Sequence, residues 1–245
     1  MKCTWIKPDW PAPAQVRAAS TMRAGGGSKG PFASLNLGMH VGDDYQDVSA
    51  NRLQIMRDLE LPSPPQWLTQ VHGNHTVKAG DSEAPEADAA FTRTPGIVCA
   101  VMTADCLPVL LCTPDGSSVA AIHAGWRGLA SGVIESAIQA IGTTDVMVWL
   151  GPAIGPAAFE VGPEVLESFA RLDTAHAHAF RPAGQARFMA DIYQLARLTL
   201  VRAGVRPDAI HGGGWCTYHQ PADFFSYRRD RVTGRMATLI WLANA

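Results

Sequence analysis

The chain has 245 residues, of which 47% are hydrophobic and 17% are charged, a balance typical of a folded globular protein rather than a disordered one. Its formal net charge is −2, from 20 Lys and Arg against 22 Asp and Glu, and it contains no run of five basic residues. The composition therefore gives no support for general binding to nucleic acid or to an anionic membrane.

The first segment, MKCTWIKPDWPAPAQ, has no apolar core of the kind found in a secretory signal, and prolines interrupt it. No apolar run approaches the roughly 18–20 residues that span a bilayer. The five cysteines form no Cys-x-x-Cys pair, which suits a reducing compartment better than a disulfide framework. We therefore expect a cytoplasmic protein without a membrane partner.

Hydrophobic periodicity predicts seven strands and four helices, the first helix capped by Asp47 or Ser49. Hairpins and helices are mixed without regular strand–helix–strand alternation. This pattern favours one α+β domain over residues 1–245, a layered sandwich with mixed or antiparallel sheets. The predicted strands span 15–23, 66–72, 97–102, 108–113, 118–123, 146–150 and 236–242, and the predicted helices span 47–60, 128–141, 163–171 and 190–203.

Three irregular, glycine-bearing segments, 24–44, 151–163 and 211–230, are candidates for functional loops, because long loops inside a compact domain often carry function. The segment 173–187 is predicted to be a surface excursion.

The central hairpin, VLLCTPDGSSVAAIHAG, turns at Asp115 and Gly116. If Thr113 pairs with Ser118, His123 lies opposite Pro108, and Cys106 is its diagonal neighbour on the same face, with Cα atoms about 7–8 Å apart. A turn that is one residue shorter would place Cys106 on the other face. The pattern therefore permits a Cys106–His123 pair without requiring it.

In QVHGNHTV, Gly73 and Asn74 suit a type II′ turn that would make His72 and His75 cross-strand neighbours. Two imidazoles beside a Cys/His pair would provide the donors of a zinc site. The spacing matches no local zinc-finger pattern, and it does not choose between His72 and His75. Buried cysteines and histidines are also common without any function.

The sequence as a whole resembles the bacterial YfiH-type proteins, labelled laccase-domain or polyphenol oxidase and regarded as purine nucleoside phosphorylases. The resemblance runs from about residue 20 to the C-terminus and implies a layered α+β sandwich related to Cys/His deamidase toxins. The stretches that carry it are GPFASLNLGMHVGDD, the Asn-Arg pair at 51–52, QVHG, TADCLPVLL, HAGWRG, GPAIGP with FEVG, the Cys-Thr pair at 216–217, FFSYRRD and TGRMATLIWL.

The resemblance implies a zinc ion held by His72, Cys106 and His123, and it favours His72 over His75 as the ligand. His75 could contact substrate or serve only the turn, and we favour the turn. It also implies phosphorolysis of adenosine, inosine, guanosine and methylthioadenosine, with adenosine deamination as a side activity. The expected partners are therefore a small nucleoside and inorganic phosphate. Copper is expected to bind the same donors in vitro, because it binds such ligands more tightly than zinc.

Two carboxylates are candidates for moving the protons in this chemistry, Asp105 and Glu160. Glu160 ranks higher because Asp105 in an extended strand would face away from Cys106, although either side chain also suits a structural role beside a turn.

Phosphate is held by arginines or by backbone N–H groups, and the matching motifs supply candidate ligands. Phe32, Trp126 and Phe225 are candidates for stacking a purine, although core packing suits each of them as well. The candidate substrate and phosphate ligands are Ser34, Asn36, His40, Arg52, Arg127 and Arg228.

Three alternative functions stand beside this one. Cys106 and His123 could act as nucleophile and base of a metal-free hydrolase, such as a peptidoglycan-precursor editing enzyme, or the site could be a metal-stabilised binding module. Copper-dependent polyphenol oxidation is less favoured, because the chain has eight histidines and one His-x-His pair, at 176–178, whereas multicopper centres need several.

Overall fold

The computed structural model describes residues 2–244, which form thirteen strands and six α-helices. The strands are β1 Trp5–Ile6, β2 Val16–Thr21, β3 Thr76–Lys78, β4 Ala89–Thr92, β5 Val98–Thr103, β6 Leu107–Cys112, β7 Val119–Ala124, β8 Met147–Leu150, β9 Glu160–Val161, β10 Phe180–Gly184, β11 Arg187–Ala190, β12 Ile210–Gly212 and β13 Met236–Leu242. The helices are α1 Tyr45–Asp58, α2 Trp126–Ser131, α3 Val133–Ile141, α4 Pro163–Ala170, α5 Ile192–Arg202 and α6 Tyr227–Asp230.

Two large sheets form the centre of the fold. The first is antiparallel, with strand order β1-β2-β13-β5. The second has the order β12-β8-β6-β7-β4-β3, and its two outermost strand pairs are parallel while the inner pairs are antiparallel. A small third sheet, β10-β11-β9, lies outside them.

The alternation of side chains along the central strands explains the layering. On β6, Leu110 and Cys112 face the core between the two large sheets, whereas Leu107, Val109 and Leu111 face a second core beneath α2, α3 and α5. Strand β5 alternates in the same way between the inter-sheet core and a core that contains Ile55 of α1. The result is a helix–sheet–sheet–helix sandwich, so the predicted fold class is confirmed.

Six of the seven predicted strands are present, and the prediction over 66–72 is wrong. That segment makes only isolated bridges at Gln66 and Thr69 and is otherwise irregular. The predicted helix 128–141 is two helices, because Gly132 adopts a left-handed φ of 92° between them. The first helix begins two residues earlier than expected, since Asp44 rather than Asp47 or Ser49 accepts the first backbone N–H groups. The segment 173–187 is an ordered 3-10 helix followed by most of a hairpin.

No helix within residues 2–244 combines the length and apolar character that are needed to cross a membrane.

Candidate metal centre and adjoining cavity

The β6–β7 hairpin brings Cys106 and His123 to one end of the central sheet. Its register is the one that Thr113 and Ser118 predict, with Pro108 opposite His123. Cys106 directly precedes β6 and is partly exposed, whereas His123 is buried near the end of β7. The register that places Pro108 opposite His123 is therefore the observed one, and Cys106 lies close to His123.

His72 reaches the same place from an irregular segment instead of the predicted hairpin. Its backbone has a left-handed φ of 61°, a conformation that a non-glycine residue rarely adopts. Gln70 anchors this segment to β5, since its side chain accepts from Met102 N–H and donates to Met102 C=O. Strand β3 then pairs in parallel with β4, so the expected cross-strand pair of His72 and His75 does not form. His75 is exposed, and its Nδ1 lies 3.0 Å from the carbonyl oxygen of Glu86.

The three side chains form a compact donor set. Cys106 Sγ lies 3.9 Å from His72 Nε2, the rings of His72 and His123 are 4.8 Å apart, and one donor atom from each residue lies within 4.8 Å of the others. One sulfur and two imidazole nitrogens at this separation could hold a single metal ion, and a fourth coordination position would face the adjoining cavity.

Asp88, which sequence reasoning missed, connects two of these residues. Its buried carboxylate accepts backbone N–H bonds from Val71, His72 and Gly73, and it lies 2.7 Å from His123 Nδ1. The proton on Nδ1 leaves Nε2 of His123 as the nitrogen that is available to a metal ion. One carboxylate therefore fixes both the irregular segment and the tautomer of a donor.

The donors also shift one another's pKa values. Burial alone would raise the pKa of Cys106, but the charge of His123 and hydrogen bonds from both histidines lower it to about 6. Burial alone would lower the pKa of His123, but the Cys106 thiolate and the Asp88 carboxylate raise it to about 9. Without a metal ion, both shifts favour the thiolate–imidazolium form of the pair, and a metal ion that binds there displaces the imidazolium proton.

Gly125 leaves room for the donor set, and we expect Gly125→Ala to reduce the metal content of the purified protein. A Cβ atom there would lie 3.0 Å from Cys106 Sγ and 3.1 Å from His72 Cδ2, which is closer than relaxed packing allows. Elemental analysis measures the loss. Gly27→Ala is the matched control, since its Cβ would meet nothing closer than 4.0 Å; an equal loss in both variants would contradict this prediction.

A cavity of about 830 Å³ adjoins the three donors. Its apolar wall includes Met39, Leu68 and Met102, and two aromatic side chains, Trp67 and Tyr227, also line it. Among the described residues that line this cavity there is no Asp or Glu, whereas two arginines and three histidines do line it. An apolar cavity with this excess of cationic groups suits a ligand that is both flat and anionic, or a flat ligand together with a separate anion.

The two arginines come from distant parts of the chain. Arg52 of α1 lies over the Trp67 ring at 4.0 Å and donates to Leu37 C=O, and burial lowers its pKa to about 10, which leaves it charged at neutral pH. Arg235, just before β13, donates to the carbonyls of Thr233 and Gly234. Burial together with the charges of Arg235 and Arg52 lowers the pKa of His40. The field at His40 is therefore positive.

Asp105 lies just behind the cavity wall. Its backbone φ is 102°, and its buried carboxylate accepts from Thr217 Oγ1 and from Arg228 N, both at 2.6 Å. Both carboxylate oxygens are thus engaged in holding the bend that precedes Cys106. Glu160, the preferred proton carrier in the sequence, is exposed on β9 and does not line the cavity.

A family model described as multi-copper polyphenol oxidoreductase laccase matches residues 17–243. The chain belongs to this family. A purine nucleoside phosphorylase of Pseudomonas aeruginosa is 53% identical over 98% of this chain and 99% of its own length. The purine nucleoside phosphorylase YfiH of Escherichia coli is 52% identical over 97% and 98%.

Solved structures of the laccase-like family have the same fold. The Neisseria meningitidis protein NMB0706 superposes with a TM-score of 0.94 at 47% identity, covering 98% of this chain and 99% of that one. YlmD from Geobacillus stearothermophilus gives a TM-score of 0.92 at 33% identity, covering 98% and 96%. The resemblance inferred from the motifs is therefore confirmed.

Of the ligands that the family motifs suggest, only His40 and Arg52 line the cavity. Ser34 Oγ accepts from the amides of Gly25 and Gly26, and buried Asn36 accepts from the amides of Gly38 and Arg235. Asn36 thus positions Arg235, a cavity arginine that sequence reasoning missed, although it lies in the quoted stretch TGRMATLIWL.

The remaining candidates lie elsewhere. Arg127 is exposed over the Trp126 ring, and Arg228 donates to the carbonyl of Glu160 and lies over Phe159. The proposed purine-stacking residues Phe32, Trp126 and Phe225 do not line the cavity, where Trp67 and Tyr227 supply the aromatic faces instead. In the His-x-His pair at 176–178, His176 is buried and its ring packs against Phe169. His178 Nδ1 lies 3.0 Å from the carbonyl oxygen of Ala175.

Proposed function

We propose that this protein is a zinc-dependent purine nucleoside phosphorylase that accepts adenosine, inosine, guanosine and methylthioadenosine and also deaminates adenosine. One observation supports the proposal above the others: a His/Cys/His donor set opens into a cavity that two arginines line, with no Asp or Glu among its described lining residues. Relatives that are more than 50% identical over nearly the whole chain are named purine nucleoside phosphorylases, which supports the same reaction.

The donor set fits zinc. A thiolate and two imidazoles are ligands that zinc prefers, and three protein ligands with an open position are typical of a catalytic rather than a structural site. Asp88 supports the fit, because carboxylate-oriented histidines are the usual ligands of such centres. When bound, the ion would supply a Lewis acid beside the substrate. The residues His72, Cys106 and His123 would hold it.

The arginines suit the second substrate. In phosphorolysis a phosphate oxygen forms a bond to the ribose anomeric carbon, and the bond from that carbon to the purine breaks. The protein must therefore hold a phosphate dianion close to the nucleoside. Arg52 and Arg235 carry positive charge into the cavity and have no carboxylate partner among its described lining residues. Both can donate to phosphate oxygens in the way guanidinium groups commonly do.

The departing purine has to gain a proton. Asp105 and Glu160 stay predictions for the residue that donates this proton. The histidines that line the cavity are further candidates for the proton donor. His40 is the histidine that is not in the donor set, and its lowered pKa makes it neutral at pH 7 in the absence of an anion. A phosphate beside it would favour its protonated form, which can then donate.

Two measurements on the purified protein test the proposal. Elemental analysis is expected to give zinc near one equivalent per chain, with copper as the competing result. Incubation of inosine or adenosine with phosphate is expected to release free purine base in proportion to ribose 1-phosphate, with ammonia released from adenosine at the same centre. Normal zinc content with no phosphate-dependent base release would refute the phosphorylase.

Replacing Arg235 should weaken phosphate more than nucleoside. We expect Arg235→Gln to raise the KM for phosphate about tenfold to a hundredfold, because hydrogen bonds to a charged group contribute about 1.5–3 kcal/mol each. Arg235→Lys should recover part of this loss through its charge. Arg127→Gln is the matched control, since Arg127 is exposed outside the cavity. Steady-state kinetics, with phosphate and nucleoside varied in turn, measure the two KM values. Equal changes in the KM for phosphate in the Arg127→Gln and Arg235→Gln variants would contradict the assignment of Arg235 to phosphate.

A metal-free Cys/His hydrolase is the second candidate, and one observation favours it. The low pKa of Cys106 beside His123 is what a thiolate nucleophile and its acid–base partner require. A protein that is free of bound metal and hydrolyses an amide without phosphate would support this reading. Either function needs Cys106 in its reduced form, and the five cysteines are all free. A reduced thiol is consistent with the expected cytoplasmic location.

A further inference from the structure

A second cysteine–histidine pair lies outside the cavity at Cys106, beside a separate pocket. Cys216 Sγ is 3.4 Å from His219 Nδ1, and the Gly155 amide donates to the same sulfur at 3.2 Å. Cys216 is partly exposed and His219 is exposed, so both are open to solvent. Cys3, Cys99 and Cys112 are buried instead.

A pocket of about 420 Å³ opens beside this sulfur and shares no lining residue with the cavity at Cys106. Gly212, Gly213 and Gly214 form one wall with φ values of 76°, 90° and 93°, which leaves that wall free of side chains. Tyr193 and Trp215 provide aromatic surface, and Arg197 provides a positive charge. The pocket can therefore take a small polar molecule next to the thiol.

We propose that Cys216, His219 and the Gly155 amide form a second reactive-thiol site, which takes small-molecule disulfides and carries them as a reversible mixed disulfide. The Cys216 sulfur attacks one sulfur of the disulfide R–S–S–R. A bond forms between Cys216 and that sulfur, and the original S–S bond breaks. His219 accepts the Cys216 proton and passes it to the departing R–S⁻, so the step needs no other oxidant than the disulfide itself.

The adduct would act on the bend that holds Cys106. Thr217, the next residue after Cys216, donates to Asp105 Oδ1, and Ile154 N donates to the carbonyl of Asp105. The segment around Gly155 is already tight, since a Cβ there would lie 3.0 Å from Cys216 Cβ and 3.1 Å from its Sγ. A group added to the sulfur extends into the pocket and alters the contact between Cys216 and the Gly155 amide, and the segments that carry these two residues both hold Asp105. This coupling rests on the proposed function, whereas the thiol chemistry does not.

Oxidised glutathione is a suitable probe for the full-length protein as purified. After incubation at neutral pH, peptide mass spectrometry is expected to find one glutathionyl group on Cys216, removed again by dithiothreitol. Cys216→Ser should carry none. His219→Gln should react about tenfold more slowly, because the thiol then lacks its proton acceptor. His178→Gln is the control, since His178 is an exposed histidine bonded only to a local carbonyl.

Three results would overturn the proposal: no adduct on Cys216, an adduct confined to Cys106, or a His219→Gln variant that reacts as fast as the native protein. Turnover gives the second readout. Phosphorolysis should fall as the adduct forms and stay constant in Cys216→Ser under the same treatment. Unchanged turnover of the adduct would contradict the coupling to Asp105. An adduct on a protein with no phosphorolysis would refute the proposed function and leave the thiol site standing.

Discussion

Cys106→Ser is expected to lose its bound metal and to lower phosphate-dependent base release about a thousandfold or more. A serine hydroxyl stays protonated at neutral pH and does not replace a thiolate as a zinc ligand. Removing one of three metal ligands should lower metal affinity and activity by more than the 10-fold to 100-fold that is typical for residues that only orient the ligands. Metal content by elemental analysis and turnover by base release measure the two effects separately.

Cys112→Ala is the matched control for this variant. Cys112 lies on the same hairpin but faces the core between the sheets, where it is fully buried. We expect it to lower the melting temperature slightly and to keep metal and turnover. If Cys106→Ser retained a full equivalent of zinc, the donor set would be wrong. If the native protein held no metal and Cys106→Ser lost all activity, the hydrolase would be favoured instead.

The sequence predicts half of this centre through local geometry. The turn at Asp115 and Gly116 permits the register that β6 and β7 adopt, and that register brings Cys106 to the same end of the sheet as His123. Strand β13 likewise matches the predicted span 236–242, because a continuous run of apolar residues is typical of a strand that is buried on both faces. These features depend on residues that are close in sequence or directly paired.

The other half depends on contacts between distant segments that leave no periodic signal. His72 occupies an irregular segment held by Gln70 and Asp88, and the apolar spacing of 66–72 imitates a strand that does not form. Arg235 reaches the cavity because Asn36, about two hundred positions earlier, accepts its backbone N–H. The family motifs named His72, which lies beside Cys106 and His123, but they did not name Arg235. They also named residues such as Arg127, which is exposed outside the cavity.

Metal binding and anion binding are assigned to different side chains of the cavity. The donor set lies at the end of β6 and β7, where a buried carboxylate stabilises one imidazolium proton and where the pKa of Cys106 is low. Arg52 and Arg235 approach from α1 and from the start of β13. They face the cavity without an Asp or Glu among its described lining residues, although the negative charges of Cys106 and Asp105 do act on Arg235. Both guanidinium groups can donate to an anion in the cavity.

Asp88→Asn should lower zinc affinity about 10-fold to 100-fold and reduce thermal stability. The reason is that this one carboxylate accepts hydrogen bonds from three backbone N–H groups and from His123 Nδ1. An amide oxygen can accept from His123 or from part of the 71–73 backbone, but the NH2 group would then face a backbone N–H. The amide also lacks the charge that favours a proton on His123 Nδ1, so the Nε2 lone pair becomes a weaker donor. Competition with a chromophoric chelator measures the affinity.

Asp115→Asn is the control for that measurement, since Asp115 is an exposed carboxylate that accepts from Ser117 N in the β6–β7 turn. It should leave zinc affinity unchanged, whereas Asp88→Asn weakens it even at temperatures where both variants are folded by circular dichroism. Native zinc affinity in a folded Asp88→Asn protein would mean that the carboxylate only holds the 71–73 segment. In that case the orientation of His123 would have to come from its remaining contacts, which are the backbone N–H bond to the carbonyl of residue 88 and the packing of its ring against His72.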